Sequence, residues 1–430
     1  MNDRIDLDAL DAQLAHLVAE NIDIHERQAL NLDPASNVMN PRGEALLATG
    51  LGTRPSLGLP GAKYETGLEA IEQIEVLAAD LARQVFGARH CELRVASGAI
   101  ANLYAFMATC RPGDTVVVPP ATIGGHVTHH AAGAAGLYGL RIVEAPIDPA
   151  RVTIDVDALA EVVEREQPAL ITVGGSLNLW PVPVADVRAI ADSVGAVVLF
   201  DAAHLSGMFA GGMWPSPLAA GAHIMTMSTY KSLGGPPSGA VFTDDDELAE
   251  RIIDIAHPGL TANFDVAKTA AMAVCCMDWL DCGAGYARAM VDTARALAEG
   301  LDARGVPVVE VGDGDARFTS SHHVAIDASR HGGGDALARV LRQANLLTCA
   351  IGLPPGRVVE PSVAGPGLRL GTPEMVRWGM GPSEADQVAG WIADVMDDHS
   401  RATAIAAEVS AMRAGFDRIH WVRGGPLPPR

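Results

Sequence analysis

The sequence reads Phe200-Asp-Ala-Ala-His-Leu-Ser-Gly207 and, further along, Met225-Thr-Met-Ser-Thr-Tyr-Lys-Ser-Leu-Gly-Gly-Pro-Pro-Ser-Gly239. Residues 195–200 form a short, β-branched apolar run, which predicts a buried strand. Asp201 therefore stands at the carboxyl end of a strand, where open α/β sheets place their ligands. Lys231 follows among hydroxyl residues and precedes a turn rich in Gly and Pro.

An acid and a lysine at this spacing suit an aldehyde cofactor. The lysine amine forms a Schiff base with the aldehyde, and the acid pairs with a pyridinium nitrogen and keeps it protonated. The spacing alone also fits a plainer interpretation, because an acid after a strand often caps a helix and most lysines are solvated. The rest of the chain has to decide between the two.

The composition bounds the class of protein. The chain has 430 residues, of which 49% are hydrophobic, so two or three domains with sizeable cores are expected. The net charge of −21, from 31 basic and 52 acidic residues, argues against nucleic acid and anionic membranes as partners. The six cysteines show neither disulfide nor zinc spacing. With no signal-peptide pattern and no apolar run of about 18 residues, we expect a cytoplasmic protein without a membrane span.

The chain begins with an amphipathic stretch. Within residues 4–30, leucines recur at helical spacing from Leu7 to Leu17, which predicts a helical arm. Such an arm packs either on a partner subunit or on its own domain, and the pattern leaves both open. Residues 31–67 lack clear periodicity and are rich in Gly, Pro and Asn, so we expect a long functional loop there.

From residue 68 onward, stretches with helical periodicity alternate with short apolar runs. This alternation predicts an α/β fold with a mostly parallel sheet and right-handed crossovers. A long helix over residues 285–305 is expected to lead into a smaller α+β domain. We therefore divide the chain into a helical arm (1–30), a large domain (31–290) and a small C-terminal domain (291–430).

A predicted strand leads into Ser97-Gly98-Ala99, where a helix begins. Free backbone amides and the positive end of the helix dipole make such a turn suitable for a phosphate. The signal is weak by itself, because many helices begin with Ser-Gly.

Three histidines, His126, His129 and His130, fall within five residues after the next predicted strand. Histidine clusters can hold a metal ion. No acid or cysteine accompanies these three, so we expect no metal there.

Near the C-terminus the chain reads Gly365-Pro-Gly-Leu-Arg-Leu-Gly-Thr-Pro-Glu-Met-Val-Arg-Trp-Gly379. The guanidinium of Arg369 can bind a carboxylate through two parallel hydrogen bonds. A surface or interface arginine is the plainer alternative.

Together and in this order, these motifs resemble the serine hydroxymethyltransferase family. The similarity covers about residues 31–420 and rests on Gly-Gly-His-x-Thr-His, on the frame from Asp201 to Lys231, and on Gly-Leu-Arg-Leu-Gly-Thr-Pro. The resemblance implies a fold-type-I enzyme that uses pyridoxal 5'-phosphate (PLP), with a sheet of the seven-stranded type. It also implies a homodimer or a dimer of dimers with shared sites.

The resemblance implies a role for each motif. For the cofactor it implies Ser97, Gly98 and Ala99 at the phosphate, His126 stacked on the ring, Ser176 and His204 at the ring oxygen, Asp201 at the ring nitrogen, and Lys231 in the covalent link. For an amino-acid substrate it implies that Arg369 binds the α-carboxylate. Tyr64 keeps the family frame and is expected to be catalytic.

Several positions depart from the family pattern. The family's first loop tyrosine is Pro55 here, its glutamate is Leu57, and its Asn-Lys-Asn segment is Cys349-Ala-Ile351. Leucine cannot exchange a proton, so use of tetrahydrofolate is in doubt. Glu65 can stand in for the lost glutamate, or it is simply a solvated or helix N-terminal acid. The histidine before the family's lysine is Tyr230, whose role the sequence leaves open.

We therefore expect folate-independent aldol or retro-aldol chemistry on a β-hydroxy-α-amino acid, such as serine, α-methylserine or a threonine-like acid. One alternative is an aminotransferase or β-eliminating lyase on the same scaffold, which needs only Lys231, Asp201 and Arg369. Others are the standard tetrahydrofolate-dependent reaction and a relative that binds the cofactor without catalysis.

Overall fold

The computed structural model describes residues 5–360 and 362–429. Its strands, in chain order, are β1 (Leu30–Asn31), β2 (Gly58–Leu59), β3 (Ala62–Lys63), β4 (His90–Val95), β5 (Thr115–Val118), β6 (Arg141–Glu144), β7 (Ile147–Asp148), β8 (Thr153–Ile154), β9 (Leu170–Gly174), β10 (Val197–Asp201), β11 (Ile224–Ser228), β12 (Gly239–Thr243), β13 (His323–Asp327), β14 (Leu346–Leu347), β15 (Cys349–Ile351) and β16 (Gly367–Gly371).

Helices cover both faces of the main sheet. They are α1 (Leu7–Ile22), α2 (Pro41–Leu47), α3 (Glu69–Phe86), α4 (Gly98–Thr109), α5 (Ala134–Leu137), α6 (Val156–Glu166), α7 (Val184–Asp192), α8 (Ser206–Ala210), α9 (Asp246–Asp254), α10 (Val266–Asp302), α11 (Gly334–Gln343), α12 (Pro373–Arg377), α13 (Pro382–Asp397) and α14 (Ala402–Arg413).

The central sheet has seven strands in the order β4-β12-β11-β10-β9-β5-β6. β12 runs antiparallel to both of its neighbours, and the other neighbouring pairs are parallel. The predicted α/β fold with a mostly parallel sheet of seven strands is confirmed. Since parallel strands end on one edge of the sheet, β5, β9, β10 and β11 deliver the segments that follow them to the same place.

The inner strands are buried on both faces, so they read as continuous apolar runs rather than as alternating patterns. In β10, Leu199 packs on one side with Tyr104 and Phe106, which α4 supplies. Phe200 packs on the other side with Tyr286, which α10 supplies. The sheet is therefore the middle layer between two helical layers.

Helix α10 joins the two parts of the molecule. Its Met290 packs in the core of the large sheet, whereas Leu297 packs in the core of the C-terminal part. That part contains the antiparallel sheet β13-β16-β15, which α11 contacts, and α13 and α14 contribute to the same core. The helix predicted over 285–305 begins earlier, at Val266. The three-domain division stays a prediction, and its boundary at 290/291 lies inside α10.

The N-terminal arm is helical but unpacked. α1 has no buried residue, and Leu7 and Leu14 are 71% and 62% exposed. The apolar stripe of α1 is therefore not covered by its own domain. A π-helical segment, Asp23–Gln28, follows α1, and the predicted start at residue 4 lies outside the described residues. In the described ranges, no helix has both the length and the apolar character needed to cross a bilayer.

The expectation of one long loop over 31–67 is wrong in part. α2 forms there because Asn40 and Pro41 start it: the Asn40 side chain accepts a hydrogen bond from the Arg42 N–H at 2.9 Å, and Pro41 occupies the first turn. The Asn-Pro pair was a helix-start signal that the weak periodicity of a seven-residue helix concealed.

Candidate active site

A cavity of about 250 Å³ opens at the carboxyl edge of the main sheet. Its walls come from the start of α4 and from the segments that follow β5, β9, β10 and β11. The residues that line it are Gly98, Ala99, Asn102, His126, Gly175, Ser176, Asp201, Ala203, His204, Ser228 and Lys231. Seven of the site residues predicted from the sequence therefore lie together around one cavity.

Asp201 is buried at the end of β10 and is held by three donors. Its Oδ2 atom accepts hydrogen bonds from Asn102 Nδ2 and His129 Nε2, each at 2.9 Å, and its Oδ1 atom accepts one from the Ala203 N–H at 2.9 Å. Burial alone would raise the pKa of Asp201, but the His129, Asn102 and Ala203 contacts outweigh it and hold that pKa well below its usual range. The carboxylate is thus kept ionised inside the protein.

His129 and Asn102 are the partners of Asp201 that the sequence analysis missed. His129 follows β5, and β9 separates β5 from β10, so no local pattern links the two residues. The cluster of three histidines was a signal, but the family motif implied a role for His126 alone and none for His129. Asn102 lies on α4, one turn after the predicted anion site.

Lys231 is also buried, and its Nζ atom lies 3.2 Å from His204 Nε2. Burial lowers the pKa of the Lys231 amine to about 8, with Asp201 opposing and Arg369 assisting the shift. Burial and the nearby Lys231 and Arg369 cations lower the pKa of His204 well below its ordinary value. His204 is therefore neutral, and its Nε2 accepts from Lys231.

The start of α4 has the features expected of an anion site. The Ser97 side chain caps the helix by accepting from the Ile100 N–H at 3.3 Å. An added Cβ at Gly98 would lie 2.2 Å from Ser228 Oγ, so a side chain there would require the Ser228 hydroxyl to move. The first N–H groups of a helix have no intrahelical acceptor, so they remain available to a ligand beside Gly98 and Ala99.

Arg369 lies in β16, buried next to the same cavity. Its Nη1 donates to the Ser176 carbonyl and lies 3.4 Å from His204 Nε2. Its Nε and Nη2 donate to Cys349 Sγ at 3.3 and 3.0 Å, and the thiol donates to Asp33 Oδ1 at 3.1 Å. Burial raises the pKa of Cys349 to about 12, partly offset by Arg369, so the thiol keeps the proton that it donates.

Tyr64 and Glu65 do not join the other predicted residues in this chain. The Tyr64 side chain is 83% exposed, and the Glu65 carboxylate accepts the Leu57 N–H at 3.0 Å. Their loop is firmly held, because a buried ion pair of 2.7 Å joins Lys63 to Glu75 on α3. The loop is thus held in place, and neither Tyr64 nor Glu65 lines the cavity.

The cavity suits PLP by the chemistry of its donors. An ionised acid can pair with the ring nitrogen, a buried lysine can hold the aldehyde carbon, and a helix start can bind the phosphate. His126 is half-buried at the cavity wall, and Ser176 follows β9 at the same edge. Because a helix begins at Gly98, the phosphate would meet backbone amides there.

The fold and the site define a class, the fold-type-I PLP-type enzymes. Within that class, the model of the family described as "Serine hydroxymethyltransferase" matches residues 7–392, so the chain belongs to this family of enzymes.

Curated relatives are similar over nearly the whole chain. An alpha-methylserine aldolase of Variovorax paradoxus is 57% identical, with 95% of this chain and 91% of the relative covered. An alpha-methylserine aldolase of Ralstonia sp is 52% identical, with 97% and 94% covered. A serine hydroxymethyltransferase of Methanopyrus kandleri is 36% identical, with 94% of each chain covered. The expected family is confirmed. The relatives that are 52% and 57% identical are named as aldolases, which agrees with the expected aldol chemistry.

Proposed function

We propose that this protein is a PLP-dependent aldolase that cleaves α-methylserine to formaldehyde and alanine without tetrahydrofolate. The observation that carries the proposal is the 57% identity to an alpha-methylserine aldolase over 95% of the chain. The reaction balances by itself: the Cα–Cβ bond breaks, the hydroxymethyl carbon leaves as formaldehyde, and Cα receives a proton to become the α-carbon of alanine.

PLP, when bound, supplies an electron sink for the electron pair that the broken bond leaves on Cα. Asp201 serves that chemistry by holding a negative charge at the ring nitrogen, since its network keeps the carboxylate ionised. Lys231 would hold the aldehyde carbon, and its free amine, with a pKa lowered to about 8 by burial, suits proton transfer near neutral pH. Ser176 and His204 are placed to contact the ring oxygen.

Arg369 is the residue that binds the substrate α-carboxylate in this proposal. Its guanidinium is buried beside His204 and Lys231, so the carboxylate would lie at one fixed side of the reacting carbon. Such a contact selects which Cα bond stands perpendicular to the cofactor ring and therefore which bond breaks. The Cys349 and Asp33 contacts hold the guanidinium in place.

Independence from folate rests on residues that this chain lacks at the expected positions. Leu57 cannot carry a proton, and Cys349 contacts Arg369 where the family pattern has an asparagine. The standard folate-dependent reaction is the second candidate. One observation favours it: the Glu65 carboxylate lies beside Leu57 and could take over the lost role.

The assembly in this proposal is a homodimer or a dimer of dimers, formed in the cytoplasm. Two features support it: the exposed apolar stripe of α1 and the ordered loop that presents Tyr64 to the outside of the chain. A second subunit would cover α1 and would bring its Tyr64 and Glu65 to the neighbouring cavity.

Product analysis with α-methylserine separates the candidate reactions. This substrate has no hydrogen on Cα, so aminotransfer and β-elimination, which begin by removing that hydrogen, cannot act on it. We expect equal amounts of formaldehyde and alanine, measured by derivatisation and mass spectrometry, with serine and threonine as poorer substrates. Absence of both products with α-methylserine, together with a keto acid from serine, would overturn the aldolase proposal.

A further inference from the structure

A hydrogen-bond chain crosses one wall of the cavity from Asp201 to His126. Asn102 Nδ2 contacts Asp201 Oδ2 at 2.9 Å and Thr128 Oγ1 at 3.0 Å. Thr128 Oγ1 lies 2.9 Å from His126 Nδ1. Asn102 and Thr128 are both buried, so these contacts are shielded from water. The position of each proton in these hydrogen bonds follows from which groups can donate and which can only accept.

The orientation of the Asn102 amide follows from its three partners. The Asp201 carboxylate can only accept, so the atom that faces it must be the NH₂ nitrogen. Its two hydrogens then serve Asp201 and Thr128, and Oδ1 accepts from Thr226 Oγ1 at 2.6 Å. Asn102 Nδ2 also lies 3.3 Å from His129 Nε2, but that nitrogen donates to Asp201, so the approach is not a hydrogen bond.

The hydroxyl of Thr128 has one hydrogen to give. Since it accepts from Asn102, this hydrogen is free to point at His126 Nδ1. The backbone N–H of Thr128 also points at His126 Nδ1, at 3.3 Å, and a backbone N–H can only donate. Two donors therefore meet the same ring nitrogen, which must be unprotonated.

We propose that Asn102 and Thr128 are positioning residues that hold His126 as the neutral tautomer with its proton on Nε2. Among the described residues, Nε2 has no hydrogen-bond partner, and His126 lines the cavity. His126 therefore offers a bound ligand an N–H donor suited to an anionic oxygen of the amino acid. In this state it cannot accept a proton at Nε2, so it is a donor rather than a base.

The surroundings of His126 favour its neutral form. Burial lowers the pKa of His126, and the Lys231 and Arg369 cations and His129 act in the same direction, while Asp201 opposes them. The assignment of the tautomer itself comes from the Thr128 contacts alone. The choice of an amino-acid ligand rests on the proposed function, whereas the tautomer does not.

Nitrogen NMR of histidine rings tests the tautomer directly. Holoenzyme labelled with ¹⁵N-histidine would be recorded near pH 8, with His126→Gln used to assign the His126 signals. We expect a protonated-type signal for Nε2 and an unprotonated-type signal for Nδ1. A proton on Nδ1, or rapid exchange between both nitrogens, would overturn the proposal. The ¹⁵N spectrum requires no turnover, so it reports the tautomer of His126 even if α-methylserine is not cleaved.

Variants at Thr128 test the source of the tautomer. Thr128→Val removes the hydroxyl, so a clear population with the proton on His126 Nδ1 should appear and kcat/KM should fall about tenfold. Thr128→Ser keeps a hydroxyl and should match the wild type in both tautomer and kcat/KM. Thr172→Val is the matched control, because the buried Thr172 hydroxyl has no partner within the described chain. An unchanged tautomer in Thr128→Val would show that the Thr128 hydroxyl does not fix the proton of His126. If that variant does not fold, the wild-type spectrum still decides.

Discussion

The wall of the cavity that carries Asp201 and Lys231 differs from the loop that carries Leu57, Tyr64 and Glu65. On the wall, Asp201 and Lys231 are 3% and 7% exposed, and their partners come from the same chain. On the loop, Tyr64 is 83% exposed, and the Glu65 carboxylate accepts a hydrogen bond from the loop's own Leu57 N–H instead of contacting a residue of the cavity. The predicted cofactor residues therefore lie together within one chain, whereas Tyr64 and Glu65 do not line the same cavity.

This difference separates two parts of the proposed function. The electron-sink machinery depends on buried charge, which only a well-satisfied network can hold. The loop has lost the residues expected for folate chemistry, and its Tyr64 side chain is exposed. Bond cleavage should therefore depend steeply on the wall and only weakly on the loop.

The largest effect is expected at Lys231. Lys231→Ala should abolish covalent cofactor binding and lower kcat by roughly 10³-fold or more, since the group that holds and exchanges the cofactor is gone. The chain offers a matched control in Lys268→Ala, a lysine on α10 away from the cavity. Loss of the cofactor absorbance band in the first variant but not in the second would support the assignment; an unchanged band in Lys231→Ala would refute it.

The next effect is expected at His129. His129→Ala removes one of the three hydrogen-bond donors to the buried Asp201 carboxylate, so kcat/KM should fall about 10- to 100-fold. His129→Gln can still donate to Asp201 Oδ2 and should recover most of the loss. Steady-state kinetics of the two variants tests this prediction. Equal kcat/KM values for His129→Ala and His129→Gln would show that a hydrogen bond from residue 129 does not support Asp201.

The pH dependence of cofactor capture should follow Lys231. Only the neutral amine attacks an aldehyde, and the lowered pKa of about 8 means that more amine is neutral at a given pH. The rate at which cofactor-free protein captures PLP should rise about tenfold per pH unit below pH 8 and level off above it. Arg369→Gln removes a nearby cation and should move the midpoint upward. A midpoint near 10 in the wild type would contradict the burial argument.

A smaller effect is expected at Cys349. Cys349→Ala removes the acceptor of two Arg369 N–H groups, so KM for the amino acid should rise about 5-fold with little change in kcat. Cys349→Ser retains an acceptor and a donor and should lie near the wild type. A fall in kcat with KM unchanged would mean that Cys349 acts on the reacting atoms instead.

The smallest effect is expected on the loop. Tyr64→Phe should lower kcat/KM only about 3-fold, consistent with one lost hydrogen bond to a neighbouring site. Mixed oligomers of Lys231→Ala and Tyr64→Ala chains sharpen the test. If sites are shared between subunits, one site of a purified mixed dimer carries neither change, and the dimer keeps about half of the wild-type activity. A mixed dimer well below half would show that Tyr64 serves no second cavity.

Much of the fold could be predicted because the main sheet is buried on both faces. Residues 170–173 are apolar except for Thr172, and residues 197–200 are apolar throughout, so both runs can be recognised without knowledge of tertiary contacts. The short helix α2 could not be found by periodicity, because seven residues hold too few repeats. Its start at Asn40 and Pro41 depended on capping instead.

The site divides in the same way. Asp201, Lys231 and Arg369 stand at strand ends or in a strand, and their motifs predicted their place near one edge of the sheet. The contacts of His129 with Asp201 and of Cys349 with Arg369 join segments 72 and 20 residues apart, through strand order and sheet pairing. Such contacts depend on which strands are neighbours, and no local pattern records that.

The most direct test of the account is formaldehyde release from α-methylserine by purified enzyme stripped of folate. The reaction would be followed with and without added tetrahydrofolate, with Lys231→Ala as the blank. The account predicts the same initial rate in both, with one alanine formed for each formaldehyde. Turnover only when tetrahydrofolate is present would contradict it and would make Glu65 the replacement for the glutamate lost at Leu57.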